Sequence, residues 1–264
     1  MKIAQRFVKF ALLAISLNCI HSFAANVFVD EKQIAIEGKI EKGDAESVAK
    51  LMASRAVFLR VILNSPGGDL QEALKITSLV KGARLSTRVV ANGVCASACF
   101  FILLSDNRRD ASGVEEDAQL KRQGSSSLYG LVGLHRPYIA PEVARTDPQS
   151  AMKKQKTVMS EVSSYLKDEG VSQRLIDIMM DRPSNNAYWL TDADVLQLGE
   201  YSPQMEEALI ASCGYSRYRY LEKWPKERRD KLVDCITAFD VAQLLPDRFK
   251  YYSKLSTGWR PWKK

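Results

Sequence analysis

At 264 residues, 46% of them hydrophobic and 26% charged, the chain is long enough for one domain with a substantial core plus an extension. The formal charge is +7, but three of the positives, Lys2, Arg6 and Lys9, lie within residues 1–24, so the excess beyond them is only four and argues weakly for any acidic partner. Two histidines and five cysteines with no Cys-x-x-Cys pair argue against a structural metal site, and no motif calls for a cofactor or a nucleotide.

In chain order, the positive n-region is followed by an apolar run from Phe10 to Ile20 and then by Ser22-Phe23-Ala24, a small-x-small cleavage pattern. This is the layout of a secretory signal peptide cut after Ala24, and the run is short for a membrane span. Asn18 stands where a lipoprotein signal would want a small residue before Cys19. The expectation is therefore a periplasmic or secreted chain. Export permits disulfides. Cys213–Cys235 is expected as one bridge, and Cys95 and Cys99 either pair or are small buried residues.

Val27–Val29 and Ile34–Ile40 read as two short strands. Asp44 is expected to cap a helix running to about Ser54. Residues 57–63, Val-Phe-Leu-Arg-Val-Ile-Leu, read as a buried parallel strand, which ends in the turn Asn64-Ser65-Pro66-Gly67-Gly68. Asp69 opens a helix with Gly82 at its end. Ser86–Ala91 is a further strand, and Cys95–Leu104 is expected as a buried helix. The β-α-β-α order argues for an α/β fold with a parallel sheet and crossover helices.

Residues 105–130 are polar and rich in charge and serine, and read as an inserted loop or lid. Tyr129–Leu134 is a strand delivering His135. Pro141 to Gly170 is mostly helical, Ser172–Met180 is helical, Arg182–Tyr188 is a loop, and Asp192–Leu198 is a short helix stopped by Gly199. From Tyr215 to Lys264 there are 13 Lys/Arg against 6 Asp/Glu, with ten aromatics among them. No nucleic-acid motif accompanies these residues, so nucleic acid is not an expected partner. The aromatics, Tyr251, Tyr252, Trp259 and Trp262 among them, are expected to pack the tail onto the core or a neighbouring subunit, with membrane-surface association as the competing reading.

Three elements carry chemistry. Ser97, in Gly93-Val-Cys-Ala-Ser97-Ala-Cys-Phe, lies between a strand and an apolar helix, where unpaired N–H groups and the helix dipole stabilise negative charge. His135, in Gly133-Leu134-His135-Arg136-Pro137, is the one histidine after residue 24, and imidazole is a base suited to neutral pH. The Gly67–Gly68 pair allows backbone N–H groups to face a ligand as an oxyanion hole. Each alone also fits a bland role as a cap, a surface histidine or an ordinary turn.

Together they resemble the Clp protease proteolytic-subunit family. Residues 57–104 match its strand-Asn-Ser-Pro-Gly-Gly pattern and its serine motif before an apolar helix, and Leu134-His135-Arg136-Pro137 resembles its hydrophobic-His-x-Pro motif. The resemblance covers about residues 27–201. It implies a ClpP/crotonase-like spiral of βα units over 25–201, with a mainly helical extension over 202–264. It also implies Ser97 as nucleophile, His135 as base, the Gly68 and Ala98 N–H groups as oxyanion hole, a peptide or protein substrate bound by β-augmentation, and self-association into a homo-oligomer. The acidic third member is not cleanly placed: Asp181 is the best match by local pattern, while counting back from Leu190-Thr191 gives Asn185 or Asn186. A serine–lysine dyad using Lys153, Lys154 or Lys156 ranks lower, because a solvated lysine stays protonated. The family's ATPase partnership does not carry over to an exported compartment without ATP. The rival from another class is a non-catalytic binding or assembly protein that kept the fold.

Overall fold

The computed structural model describes residues 24–54, 57–90, 92–105, 108–110, 131–138, 145, 147–199, 201–215, 225–258 and 260–262. The expected signal segment before residue 24 and most of the 105–130 insertion lie outside the described residues.

Two sheets form the centre. The first has the order β1-β2-β3-β4-β6, from β1 (Asn26–Asp30), β2 (Gln33–Glu37), β3 (Arg60–Asn64), β4 (Ser86–Val89) and β6 (Arg109–Asp110). β1 and β2 are antiparallel across a tight turn, and from β2 onward the neighbours are parallel. The second sheet has the order β5-β7-β8, from β5 (Val94–Ala96), β7 (Leu131–Leu134) and β8 (Tyr188–Trp189). A parallel bridge between Ser65 and Cys95 links them, so the chain leaving β3 passes from the first sheet to the edge of the second.

The crossover helices bury the sheet. α1 (Asp44–Ala53) turns Val48 and Met52 inward, and α2 (Leu70–Ala83) turns Ile76, Leu79 and Val80 inward. All seven residues of α3 (Ala98–Leu104) are buried, as expected of a helix apolar on every side. α4 (Pro148–Asp168), α5 (Gln173–Asp181) and α6 (Asp192–Leu198) follow, and the C-terminal region is helical, with α7 (Pro203–Cys213) and α8 (Lys226–Ser256). This is the mixed α/β architecture with parallel strands expected from the βα order.

Several local expectations are corrected. Residues 95–104 are not one helix: Cys95 and Ala96 are in β5, because Ser65 and β7 offer backbone partners there. Asp44 is the first residue of α1 rather than its cap; Gly43 holds the cap position in a left-handed conformation, φ 109°. Gly82 does not end α2, which runs to Ala83 and is capped by Arg84 at φ 49°. Part of the presumed solvated insertion is core: Arg109 in β6 is buried, and its guanidinium donates to the carbonyls of Glu169 and Tyr201.

Gly82 has another role. The Tyr251 ring of α8 lies directly over it, leaving no room for a side chain, and the Tyr251 hydroxyl donates to the Ser78 carbonyl at 3.2 Å. Tyr252 and Leu255 enter the main core from the same helix. These aromatics thus pack the tail onto α1 and α2. Gly82→Val should cost about 1–3 kcal/mol through overpacking and expose α8 to limited proteolysis before the rest of the chain.

Candidate active site

The site grows from the end of β3. Asn64 Oδ1 accepts from the Val94 N–H at 3.1 Å, the Ser65 N–H donates to the Val94 carbonyl, and the Ala96 N–H donates back to Ser65 at 3.0 Å. The fully buried Ser65 hydroxyl accepts from the Gly67 N–H at 3.1 Å. The Asn-Ser pair thus fastens the Gly-Gly turn to β5. Gly67, φ 96°, lies against the next turn: a methyl group there would come within 2.5 Å of the Ala96 carbonyl oxygen and 2.6 Å of Ser97 Cβ. Gly68, φ 146°, is pressed against the Ile40 backbone. The Ile40 N–H donates to Gly67 and the Ile40 carbonyl accepts from the Asp69 N–H, each at 2.8 Å.

Ser97 is the residue between β5 and α3. Its φ of 55° and ψ of −122° are rarely adopted by residues other than glycine, a strain of order 1–3 kcal/mol that a surrounding structure must hold. Its N–H donates to the Gly133 carbonyl at 2.9 Å, and its side chain makes no capping hydrogen bond. The hydroxyl is therefore not spent on the helix, against the bland reading of Ser97 as a cap. The Gly68 and Ala98 N–H groups enter no hydrogen bond among the described residues, and both residues line the same cleft as Ser97.

A disulfide joins Cys95 to Cys99, across the Ser97 turn, and both cysteines are fully buried. The second disulfide, Cys213–Cys235, ties α7 to α8 away from the cleft. A covalent tie across a strained turn restricts its alternatives. Replacing Cys95 and Cys99 together by alanine should slow covalent modification of Ser97 about tenfold or more, whereas the Cys213/Cys235 double alanine variant should change it less than about twofold; site-specific labelling rates measure both.

His135 follows β7 directly. β5 and β7 are parallel with Ala96 opposite Gly133, so Ser97 and His135 leave the same end of adjacent strands, which stand about 4.8 Å apart in a sheet. Both line one cleft of about 310 Å³ together with Gly68 and Ala98. Leu70, Phe101 and Val158 form its apolar wall. The His135 Nδ1 lies 2.9 Å from the Arg136 carbonyl oxygen. A carbonyl only accepts, so Nδ1 carries the hydrogen, and in the neutral ring Nε2 keeps the lone pair a general base needs.

Asp181 ends α5 and is exposed, and no hydrogen bond among the described residues joins it to His135. It is one residue from a stitch between the two segments, where the Arg136 N–H donates to the Arg182 carbonyl at 3.0 Å. Asn185 and Asn186 are exposed and line no part of the cleft. Sequence reasoning missed the Arg136 carbonyl, because a backbone acceptor carries no residue-type signal. Lys154 is exposed yet reaches the cleft wall, while Lys153 and Lys156 do not line it. Among the described residues no group of three or more His, Cys, Asp or Glu is placed to hold a metal ion, and no helix is long and apolar enough to cross a membrane.

Two carboxylates at the start of α1, Asp44 and Glu72, are buried. Glu72 accepts from the Gly43 and Ala45 N–H groups at 2.9 and 3.0 Å and pairs with Lys75 at 2.9 Å. Burial pushes its carboxyl up, but Lys75 and the two N–H groups together outweigh burial and hold it below its ordinary value. Such a group stabilises the fold above its unfolded pKa, about 4.3, and that stability is lost as pH falls through the folded value. Glu72→Gln should therefore be less stable than the parent at pH 7, with the gap narrowing in thermal melts below about pH 4.

A family model described as Clp protease matches residues 20–126. A chain named ATP-dependent Clp protease proteolytic subunit 2, from Treponema pallidum (strain Nichols), is 24% identical over 188 residues, covering 68% of this chain and 85% of its own. Its namesake from Treponema denticola is 24% identical over 111 residues, 39% of this chain and 54% of its own. Among solved structures, ClpP1 from Listeria monocytogenes is similar at 20% identity, covering 64% of this chain and 88% of that one, with a TM-score of 0.44. The fold and the serine-bearing turn define an α/β protein with a cleft where β5 and β7 end. The chain is similar to Clp protease proteolytic subunits.

Proposed function

We propose that this chain is an exported serine peptidase that cleaves peptide bonds through an acyl-enzyme on Ser97. The observation that carries the reading is the shared cleft: a serine with an uncommitted hydroxyl, a histidine with Nε2 as its lone-pair nitrogen, and two unspent backbone N–H groups. His135 Nε2 takes the Ser97 proton as Oγ attacks a substrate carbonyl. The Gly68 and Ala98 N–H groups receive the oxyanion, worth about 3–4 kcal/mol per donor in comparable sites. The imidazolium then protonates the leaving amine, and water, deprotonated by the same nitrogen, releases the acid. Leu70, Phe101 and Val158 suit an apolar substrate side chain.

The signal-like residues 1–24, together with two disulfides, support placement outside the cytoplasm in the periplasm or medium. Self-association is proposed with the family likeness. The second reading, a binding protein that kept the fold, is favoured by one observation: His135 is oriented by a carbonyl and not by a carboxylate.

Treating the disulfide-intact protein with a fluorophosphonate probe and mapping the adduct by peptide mass spectrometry separates the two. An adduct on Ser97 supports the peptidase. Folded protein that takes up no probe supports the binding protein.

A further inference from the structure

Ala24 is exposed and Ala25 is buried, 8% accessible, where the chain enters β1. The Ala25 nitrogen lies 3.3 Å from Asp44 Oδ2, and Ala25 Cα packs on Gly38. Asp44 is 2% accessible. The same oxygen accepts from the Glu41 N–H at 2.8 Å. Those two backbone donors are its partners; among the described residues no lysine, arginine or histidine pairs with it. The nearby acids are better served, since Lys75 answers Glu72 and Lys39 answers Glu41. A carboxylate this buried without a cation is costly, and burial, with Glu72 and Glu41 adding to it, pushes the Asp44 carboxyl above its ordinary value.

The sequence offers the missing cation. The small-x-small pattern ends at Ala24, so cleavage there makes the nitrogen beside Asp44 a chain terminus. We propose that removal of residues 1–24 converts the Ala25 nitrogen into a buried α-ammonium that pairs with Asp44, and that this pair sets the oxyanion turn at Gly67–Gly68. Water, delivered by a leader-removing peptidase, adds across the Ala24–Ala25 bond. The Ala24 carbonyl carbon keeps the water oxygen and leaves as a carboxylate. The freed Ala25 amine takes up a proton, because its ordinary pKa is about 8. One N–H donor becomes a full charge with three.

The route to the site is short and contiguous. Asp44 fixes the Glu41 N–H, and residue 40 holds both sides of the Gly-Gly turn through Gly67 and Asp69. Gly68 packs on the Ile40 backbone, and Gly38 donates to the Asn64 carbonyl at 2.9 Å. A change in charge at Ala25 thus acts on the loop that carries one proposed oxyanion donor. The inference rests on the leader and on the reading of Ser97 as nucleophile, and its test keeps the three apart.

Intact-mass measurement of the chain exported from a bacterial host reads the cleavage: a terminus at Ala25 is expected, and any other terminus overturns the proposal. Two full mature proteins are then compared, one beginning at Ala25 and one retaining Phe23-Ala24 in front of it, each with Asp44 and with Asp44→Asn. With Asp44 present, the Ala25 form should melt about 5–10 °C higher and label with fluorophosphonate about tenfold faster. With Asp44→Asn, the two termini should differ little. Melting points within about 1 °C for the two Asp44 proteins, or a terminus effect that survives Asp44→Asn, overturn the ion pair. Melting reports on the pair even in protein that takes up no probe, so failure of the peptidase reading does not decide this one. A melting difference without a labelling difference in protein that does react overturns the link to the oxyanion turn.

Discussion

His135→Ala is expected to slow fluorophosphonate labelling of Ser97 by about 10²–10⁴-fold, the usual contribution of a positioned general base, while Ser97→Ala abolishes labelling altogether. Neither change should unfold the protein. His135 is only partly buried, among the described residues its ring hydrogen-bonds only the neighbouring Arg136 carbonyl, and the Ser97 side chain makes no capping hydrogen bond. Equal melting temperatures with unequal labelling would place the loss in chemistry and not in folding. Asp181→Ala is the companion measurement. The orienting atom in the structure is the Arg136 carbonyl, so labelling should change less than about threefold; a fall of tenfold or more would assign Asp181 to the triad. An orienting carbonyl fixes the tautomer but carries no full charge to stabilise the imidazolium. The protein should therefore label more slowly than serine hydrolases that hold a buried carboxylate there.

Gly67→Ala should have the second-largest effect, destabilising by about 3 kcal/mol or more and slowing Ser97 labelling at least about a hundredfold in whatever folds. Two costs add. At φ 96° any side chain is strained, typically by about 1–2 kcal/mol. The new methyl group would also press on the Ala96 carbonyl and Ser97 Cβ, and backbone on both sides cannot yield cheaply. Gly43→Ala is the control. Gly43 has φ 109° but open space around a Cβ, so it reports the conformational cost alone and should leave labelling within about twofold. The difference in melting temperature between these variants measures the contact between the Gly-Gly turn and the Ser97 turn. If both behave alike, the two turns do not support one another.

Much of the site could be read from residue types because its parts are local. Asn64-Ser-Pro-Gly-Gly68 is a turn wherever it occurs, and only glycine meets the two positive φ values found there. An apolar run such as 95–104 must be buried, though its helix begins only at Ala98, which leaves Ser97 at the edge. The single histidine after residue 24 nominates itself. The cap at Asp69, whose carboxylate accepts from the Glu72 N–H at 2.9 Å, was likewise written in consecutive residues.

Tertiary structure decided whatever depends on partners far along the chain. Cys95 and Ala96 look helical beside Phe100-Phe101-Ile102, yet they are strand, because Ser65 and β7 supply hydrogen bonds that no local propensity encodes. Gly82 looked like a helix end and is instead a seat for Tyr251 from α8. The pairing of Cys95 with Cys99 needed the strand-to-helix turn that brings their Cα atoms to 5.2 Å. The partner of His135 is a backbone carbonyl, which every residue owns and no residue type announces. Nor does sequence show that Ala25 lies beside a buried Asp44. Composition and spacing select the candidate groups; which of them meet is set by the register of β5 against β7 and by what the core leaves without a partner.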